Sequence, residues 1–280
     1  MNRPSRPVRV LAPALAAATL LAVTACSDDG EATAAAPASP AAERSPDPAG
    51  SPTGSPSPSP TSTRTLTGAG AKAALITEAD IEDNWTQAAD AASWRDKMLI
   101  GTVDAAAFLN ARTDAQDCQK LLDSLYSDSL LGRASGASAL TGFTDDDARL
   151  LYQVGDYGQE SLDKSLAWIK SLPQKCDQFT AKGSDGGDRT VQVVESSLPD
   201  AGDAREGITV TVQGTTDGNP TTLTADVAAL RVGASGATVT NGGLSGADHD
   251  STEMAVQQGA QRLQDVLAGH TPTSNPSEFD

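Results

Sequence analysis

Three kinds of patterning follow one another along the chain. Positions 10–23 form an apolar run, Val-Leu-Ala-Pro-Ala-Leu-Ala-Ala-Ala-Thr-Leu-Leu-Ala-Val. Positions 27–65 are Ala, Pro, Ser, Thr and Gly with a few charges, and hold no aromatic residue and no Leu, Ile or Val. From Leu66 onward apolar residues recur at the intervals of helices and strands. Thr77-Glu78-Ala79-Asp80 has the form of a capping box with Asp in place of Glu, and predicts the start of a short helix. Cys118, Leu121, Leu122 and Leu125 predict a helix over Asp117 to Tyr126. Leu162, Leu166, Ile169 and Leu172 predict another from Gln159, stopped by Pro173. Ala139 to Phe143 and Arg149 to Val154 predict a hairpin around Asp145-Asp146-Asp147. Thr190 to Val194 alternates less clearly. Ile208, Val210 and Val212 alternate with polar neighbours, and Asp217-Gly218-Asn219-Pro220 marks a turn. Leu223, Ala225 and Val227, then Ala229 to Val232, then Ala237 to Thr240 extend an antiparallel meander. Ser251 to Leu267 predicts a last helix, with Gly269 as its C-cap and Pro272 beyond. The expected class is α+β: an antiparallel sheet with helices packed on one face, preceded by a disordered stalk.

The first run changes character when its flanks are included. Arg3, Arg6 and Arg9 precede it, and it is too short to cross a ~30 Å hydrocarbon core comfortably. That is the build of a signal peptide. It ends at Val23-Thr24-Ala25-Cys26, which looks like a lipobox, where a cysteine receives lipid and the chain is cut before it. Residues 1–25 are expected to be the lipoprotein signal peptide and Cys26 the lipidated residue. The separated arginines favour general secretion over the twin-arginine route. Two acyl chains, at about 0.8 kcal/mol per buried CH₂, would anchor the protein stably.

Residues 26–65 comprise this cysteine and a Pro/Ser/Ala-rich linker. Such a composition buries too little apolar surface to offset its ordering entropy. Prolines extend it, to a reach on the order of 100 Å. Residues 66–270 are expected to be one globular domain, and 271–280 a flexible tail. Without the three signal arginines, 17 basic residues face 37 acidic ones, a net charge near −20. That charge suits neither nucleic acid nor an anionic lipid surface. Beyond Cys26 only Cys118 and Cys176 remain, and in an extracytoplasmic protein the pair reads as a disulfide. It would close a loop of about sixty residues and add roughly 4 kcal/mol in the chain-entropy model.

Catalytic signatures are thin. There is no Gly-x-Ser-x-Gly elbow and no His-Glu-x-x-His pair. The histidines are His249, expected in a Gly/Asp loop, and His270, past the last helix. Ser161-Leu162-Asp163-Lys164 matches a Ser-x-x-Lys motif, and Ser184-Asp185-Gly186 echoes its usual companion, but Lys-Thr-Gly is missing. Asp145-Asp146-Asp147 and Asp248-His249-Asp250 could hold calcium. Neither follows an EF-hand: counted from Asp248, Glu253 takes the glycine position and Gly259 the closing acid. Trp168, beside Ile169, reads as core. Trp85 and Trp94 lie in irregular sequence and are candidates for a pocket rim.

Ala74-Leu75-Ile76-Thr77-Glu78-Ala79-Asp80-Ile81 followed by Trp85 resembles the start of a sensor-type domain of actinobacterial lipoproteins. The same kind of domain resembles the extracellular part of the mycobacterial H-type receptor serine/threonine kinase. Cys118 before a helix, Leu166-Ala167-Trp168 leading to Cys176, and Gly202-Asp203 ahead of a strand also fit. So do Leu230-Arg231-Val232-Gly233 and the closing helix. The resemblance spans most of residues 70–268. It implies an α+β domain with a cleft and a ligand-sensing role. One departure is that those ectodomains are expected to carry two disulfides, whereas this chain can form only one.

The expectation is a lipid-anchored protein on the extracytoplasmic face of the cell membrane. Its domain would bind a small molecule or an envelope partner without catalysis, and needs no cofactor, metal or nucleic acid. A carrier of lipid or another apolar ligand is the first alternative and an envelope hydrolase the second.

Overall fold

A computed structural model describes residues 64–81 and 84–273. Cys26, the expected signal peptide, nearly all of the expected linker and most of the expected tail lie outside the described residues. Among the described residues no helix is long and apolar enough to cross a membrane.

The chain opens with α1 (Gly68–Ala73), a 3-10 turn at Glu78–Asp80, β1 (Thr86–Ala88) and a second 3-10 turn at Ala91–Ser93. A small hairpin of β2 (Leu99–Ile100) and β3 (Val103–Asp104) leads into α2 (Ala105–Leu109), β4 (Ala111–Arg112) and α3 (Gln116–Ser124). β5 (Ser138–Asp145), β6 (Ala148–Asp156) and α4 (Gln159–Lys175) follow. Then come β7 (Gln178–Gly183), β8 (Asp188–Glu195), β9 (Ala204–Thr216), β10 (Asn219–Val232), β11 (Ser235–Gly243) and α5 (His249–Ala268).

Nine strands form one sheet in the order β1-β5-β6-β11-β10-β9-β8-β7-β4. Every neighbouring pair is antiparallel. The β9–β10 hairpin turns on Asp217 and Gly218 alone, with φ of 51° and 80°. Positive φ at both central residues is the turn that matches strand twist. Asn219 and Pro220 already pair with Thr216 and Thr215. β10 runs unbroken from Asn219 to Val232.

The α+β class, the antiparallel sheet and the single disulfide are as expected, but the helices cover both faces of the sheet and not one. Side chains alternate across a strand. Leu223, Ala225, Val227 and Ala229 of β10 face a core built with α3 and α4. Ala228, Leu230 and Val232 face a second core built with α1 and α5. The small apolar run at positions 227–230 of β10 is the signature of a strand buried on both sides.

Other departures are local. Thr77 to Asp80 closes a 3-10 turn and no longer helix; Asp80 Oδ2 accepts both the N–H and the hydroxyl of Thr77, each at 2.8 Å. Pro173 does not stop α4, which runs on to Lys175. Pro173 lies in the last turn, where few helical bonds remain to be lost, and beyond it Cys176 N–H still reaches the Leu172 carbonyl at 2.7 Å. α5 begins at His249, because Asp248 is its N-cap. Gly269 closes it in the left-handed conformation, with φ 86°. Cys118 in α3 and Cys176 at the end of α4 are disulfide-bonded, with Cα atoms 5.7 Å apart.

Candidate functional site

A cleft of about 360 Å³ opens beside the end of α3. Its wall is apolar and almost fully buried: Trp94, Met98, Leu109, Leu122, Leu125 and Tyr126. Local chemistry places each of these. The turn at Ala91–Ser93 delivers Trp94, whose ring lies flat enough on β5 that a Cβ at Gly142 would sit 2.7 Å from it. Asp104 accepts N–H bonds from Met98 and from Ala107, both at 3.3 Å, and so ties the β2–β3 hairpin to the N-terminus of α2. Gln119 fastens α3 to β4: its amide donates to the Ala111 carbonyl at 3.2 Å and accepts from Thr113 N–H at 2.8 Å. The disulfide holds the first turn of α3 against α4.

Tyr126 departs from ordinary backbone geometry, with φ 51°. That is an outlier for a bulky residue and is a point of stored strain. Its buried hydroxyl donates to the Gly242 carbonyl at 3.0 Å, beside the Arg149 carbonyl at 3.3 Å. These two carbonyls belong to a facing pair of β11 and β6. Burial pushes the phenol's pKa well above its ordinary value, so it stays a neutral donor.

The rim is polar. Arg95, Asp96, Asn110, Arg112, Asp123 and Ser184 edge the cleft. Arg112 stands 3.5 Å from Asp123. The Asp123 oxygen also accepts the Gln119 amide at 2.9 Å. No rim residue is a histidine or a cysteine.

On the other face of the sheet a second constellation joins β10 to α5. Asp226 is buried within β10; one oxygen accepts the Thr209 hydroxyl at 2.6 Å and the other meets His249 Nδ1 at 2.8 Å. His249 Nε2 lies 3.4 Å from Glu253. The hydrogen bond to Asp226 raises the histidine pKa above its ordinary value, against the opposing effect of burial, with Glu253 and Asp250 adding to the rise. The result is an oriented imidazole with a carboxylate on each nitrogen.

Of the residues singled out from sequence, Trp94 lies in the cleft wall. Trp85 is buried on the opposite face, where its indole N–H donates to the Ser251 hydroxyl at 2.9 Å. Trp168 is half-buried beneath Lys120, whose Nζ sits 3.7 Å from the ring centroid. Lys164 pairs with Glu160 at 2.7 Å on the exposed side of α4, away from any catalytic arrangement with Ser161. Asp248 is taken up as a helix cap, and Asp147 accepts the Ser245 hydroxyl at 3.0 Å. Among the described residues no group of three or more His, Cys, Asp and Glu could hold a metal ion. His249 sits at the first position of a helix, not in a loop, and finds the acidic partner that the sequence did not reveal. Asp226 was the available signal: a lone acid inside an apolar strand must have a partner.

No protein family and no curated protein matches this chain. Among solved structures it is similar to the extracellular domain of PknH from Mycobacterium tuberculosis, covering 74% of this chain and 100% of that domain. The identity is 11% and the TM-score 0.41, a distant structural resemblance.

Proposed function

We propose that the chain is a lipid-anchored envelope protein, on the extracytoplasmic face of the cell membrane, whose domain binds a ligand in the α3 cleft without turning it over. The observation that carries the reading is the cleft: almost fully buried apolar residues floor it, under a rim of polar and charged side chains that supplies most of its exposed surface. Such a mixture of apolar surface and a few convergent polar groups is what ligand sites share. The anchoring half rests on the Val23-Thr24-Ala25-Cys26 motif and its basic, apolar leader. Four charged side chains at the mouth do not suit an acyl chain, which counts against the lipid carrier. His249 is oriented as a base would be, yet its second nitrogen faces Glu253 and it lies outside the cleft, which counts against the hydrolase.

The test is a thermal-shift screen of small molecules on the full chain and on Gly142→Val, which would push Trp94 into the cleft. Ligands that raise the melting temperature of the native chain by mass action should fail on the variant. Hits that stabilise both equally would refute the cleft. Separately, Cys26→Ala should release the protein from membranes, and its full retention would refute the anchor.

A further inference from the structure

We infer that the cleft takes a zwitterionic small molecule, an amino acid or short peptide with a free ammonium and a free carboxylate; this rests on the cleft being the binding site proposed above. Two guanidinium groups and two carboxylates edge the cleft: Arg95, Arg112, Asp96 and Asp123. Arg112 and Asp123 are 3.5 Å apart with side chains 70% and 51% exposed. Solvent screens such a pair, so it opens at little cost. Arg95 and Asp96 are exposed, and neither side chain makes an ion pair or hydrogen bond among the described residues. A cation and an anion, adjacent in sequence, therefore stand at the mouth with their interactions unspent.

The balance of sign decides the class. A simple anion would meet Asp96 and Asp123, and behind them the field of a chain with net charge −17. A simple cation would meet two guanidinium groups. A zwitterion is indifferent to the net field and satisfies both signs locally. The planar fork of an arginine matches a carboxylate with two parallel bonds. An ammonium has three donors to place, and Asp96, the Asn110 carbonyl and the Ser184 hydroxyl are acceptors on the same rim. The almost fully buried Trp94 and Met98 floor the cleft beneath these groups, and about 360 Å³ suits a molecule between an amino acid and a dipeptide.

The probe is L-leucine, compared with N-acetyl-L-leucine, which keeps only the carboxylate, and L-leucine amide, which keeps only the ammonium. The readout is the indole N–H resonance of Trp94 in the full chain, assigned with Trp94→Phe. Leucine should shift that resonance, and each blocked form should bind at least tenfold more weakly. Arg95→Gln should weaken leucine binding severalfold while leaving the amide unchanged, and Asp96→Asn should weaken leucine while leaving the N-acetyl form unchanged. Both substitutions are on exposed side chains, and an unaltered spectrum elsewhere reports an intact fold. If either blocked form binds as well as leucine, the zwitterion is refuted and the cleft stands. If none of the three moves Trp94 while another compound from the screen does, the ligand class is refuted. If no compound moves it, the site falls as well.

Discussion

The two faces of the sheet are fastened by different chemistry. On the α3–α4 face the fastening is covalent, Cys118 to Cys176. On the α1–α5 face it is ionic and hydrogen-bonded. There Asp80, with a fully buried side chain, meets Arg262 at 3.1 Å, and the Arg262 guanidinium also reaches the Ala73 carbonyl at 3.2 Å. Trp85 bonds Ser251, and Asp226 bonds His249. The difference lies in what each fastening asks of its surroundings. The disulfide is itself buried in the core of its face, but it fixes the first turn of α3 to α4 without needing charge partners, and the cleft opens at the other end of α3. Buried ions ask for partners on every polar atom, and here the set is incomplete: among the described residues Asp80 Oδ1 and Arg262 Nε find no hydrogen-bond partner, and a shallow groove lies beside Gln257, Gln258, Gln261 and Gln264 of α5.

The largest test of this contrast is to cut the covalent side. Replacing Cys118 and Cys176 together by Ser should lower unfolding free energy by about 4 kcal/mol in the chain-entropy account, read from urea melts. A loss below about 1 kcal/mol would mean that packing alone secures α3. Next comes the ionic side. Asp80→Ala strands the Arg262 charge in the core and should cost about 3 kcal/mol. The double variant Asp80→Leu with Arg262→Met should recover most of that; if it is as unstable as the single variant, the pair is not what holds α5. Third, Gly142→Ala would place a Cβ 2.5 Å from Ala91 Cβ and 2.7 Å from the Trp94 ring. Overpacking there should cost about 2 kcal/mol. It should also move the Trp94 signal, whereas Gly259→Ala, which crowds the Tyr152 hydroxyl on the opposite face, should leave that signal in place. A Trp94 signal that moves equally in both would mean the faces are not independent.

The smallest effect is pH dependence, and it separates the faces most cleanly. The folded-state pKa of His249 is raised above the 6.5 of a free imidazole, first by its bond to Asp226. The folded protein therefore holds this proton more tightly. Its stabilisation is fully present below the unfolded value and is lost as pH rises through the folded one. The imidazole is 38% exposed, so solvent screens the gain. Urea midpoints of native chain and His249→Gln should differ more at pH 5.5 than at pH 8.5. A gap independent of pH would show that His249 contributes packing and not charge. The disulfide face should show no such slope.

Where periodicity was strong, the sequence was a good guide. The alternation of Ile208, Val210 and Val212 gave β9, and the helical spacing of Leu162, Leu166 and Ile169 gave α4. It failed where tertiary contacts decide. β7 pairs Phe179, Ala181 and Gly183 on one face, too small and too short a set to signal a strand. The β2–β3 hairpin has two residues a side and depends on the Asp104 cap. The cleft was hinted at only through Trp94, since its other members come together from α2, β4 and α3. Trp85 carried the same irregular context as Trp94 and both are almost fully buried, but only Trp94 also borders the cleft. Context along the chain does not distinguish an indole that finds Ser251 from one that faces an opening.

Between Ala225 and Leu230 β10 is buried on both sides, so over this stretch hydrophobicity alone does not tell its two faces apart. A slip of one residue would exchange one set of small apolar side chains for another at little cost, although it turns every side chain over. Asp226 breaks that degeneracy. Only in the observed pairing, with Thr209 opposite, does its carboxylate meet a hydroxyl and an imidazole; one step away it would enter the α4 core with neither. The lone acid in the longest strand thus acts as the alignment mark by which the middle of the sheet is assembled.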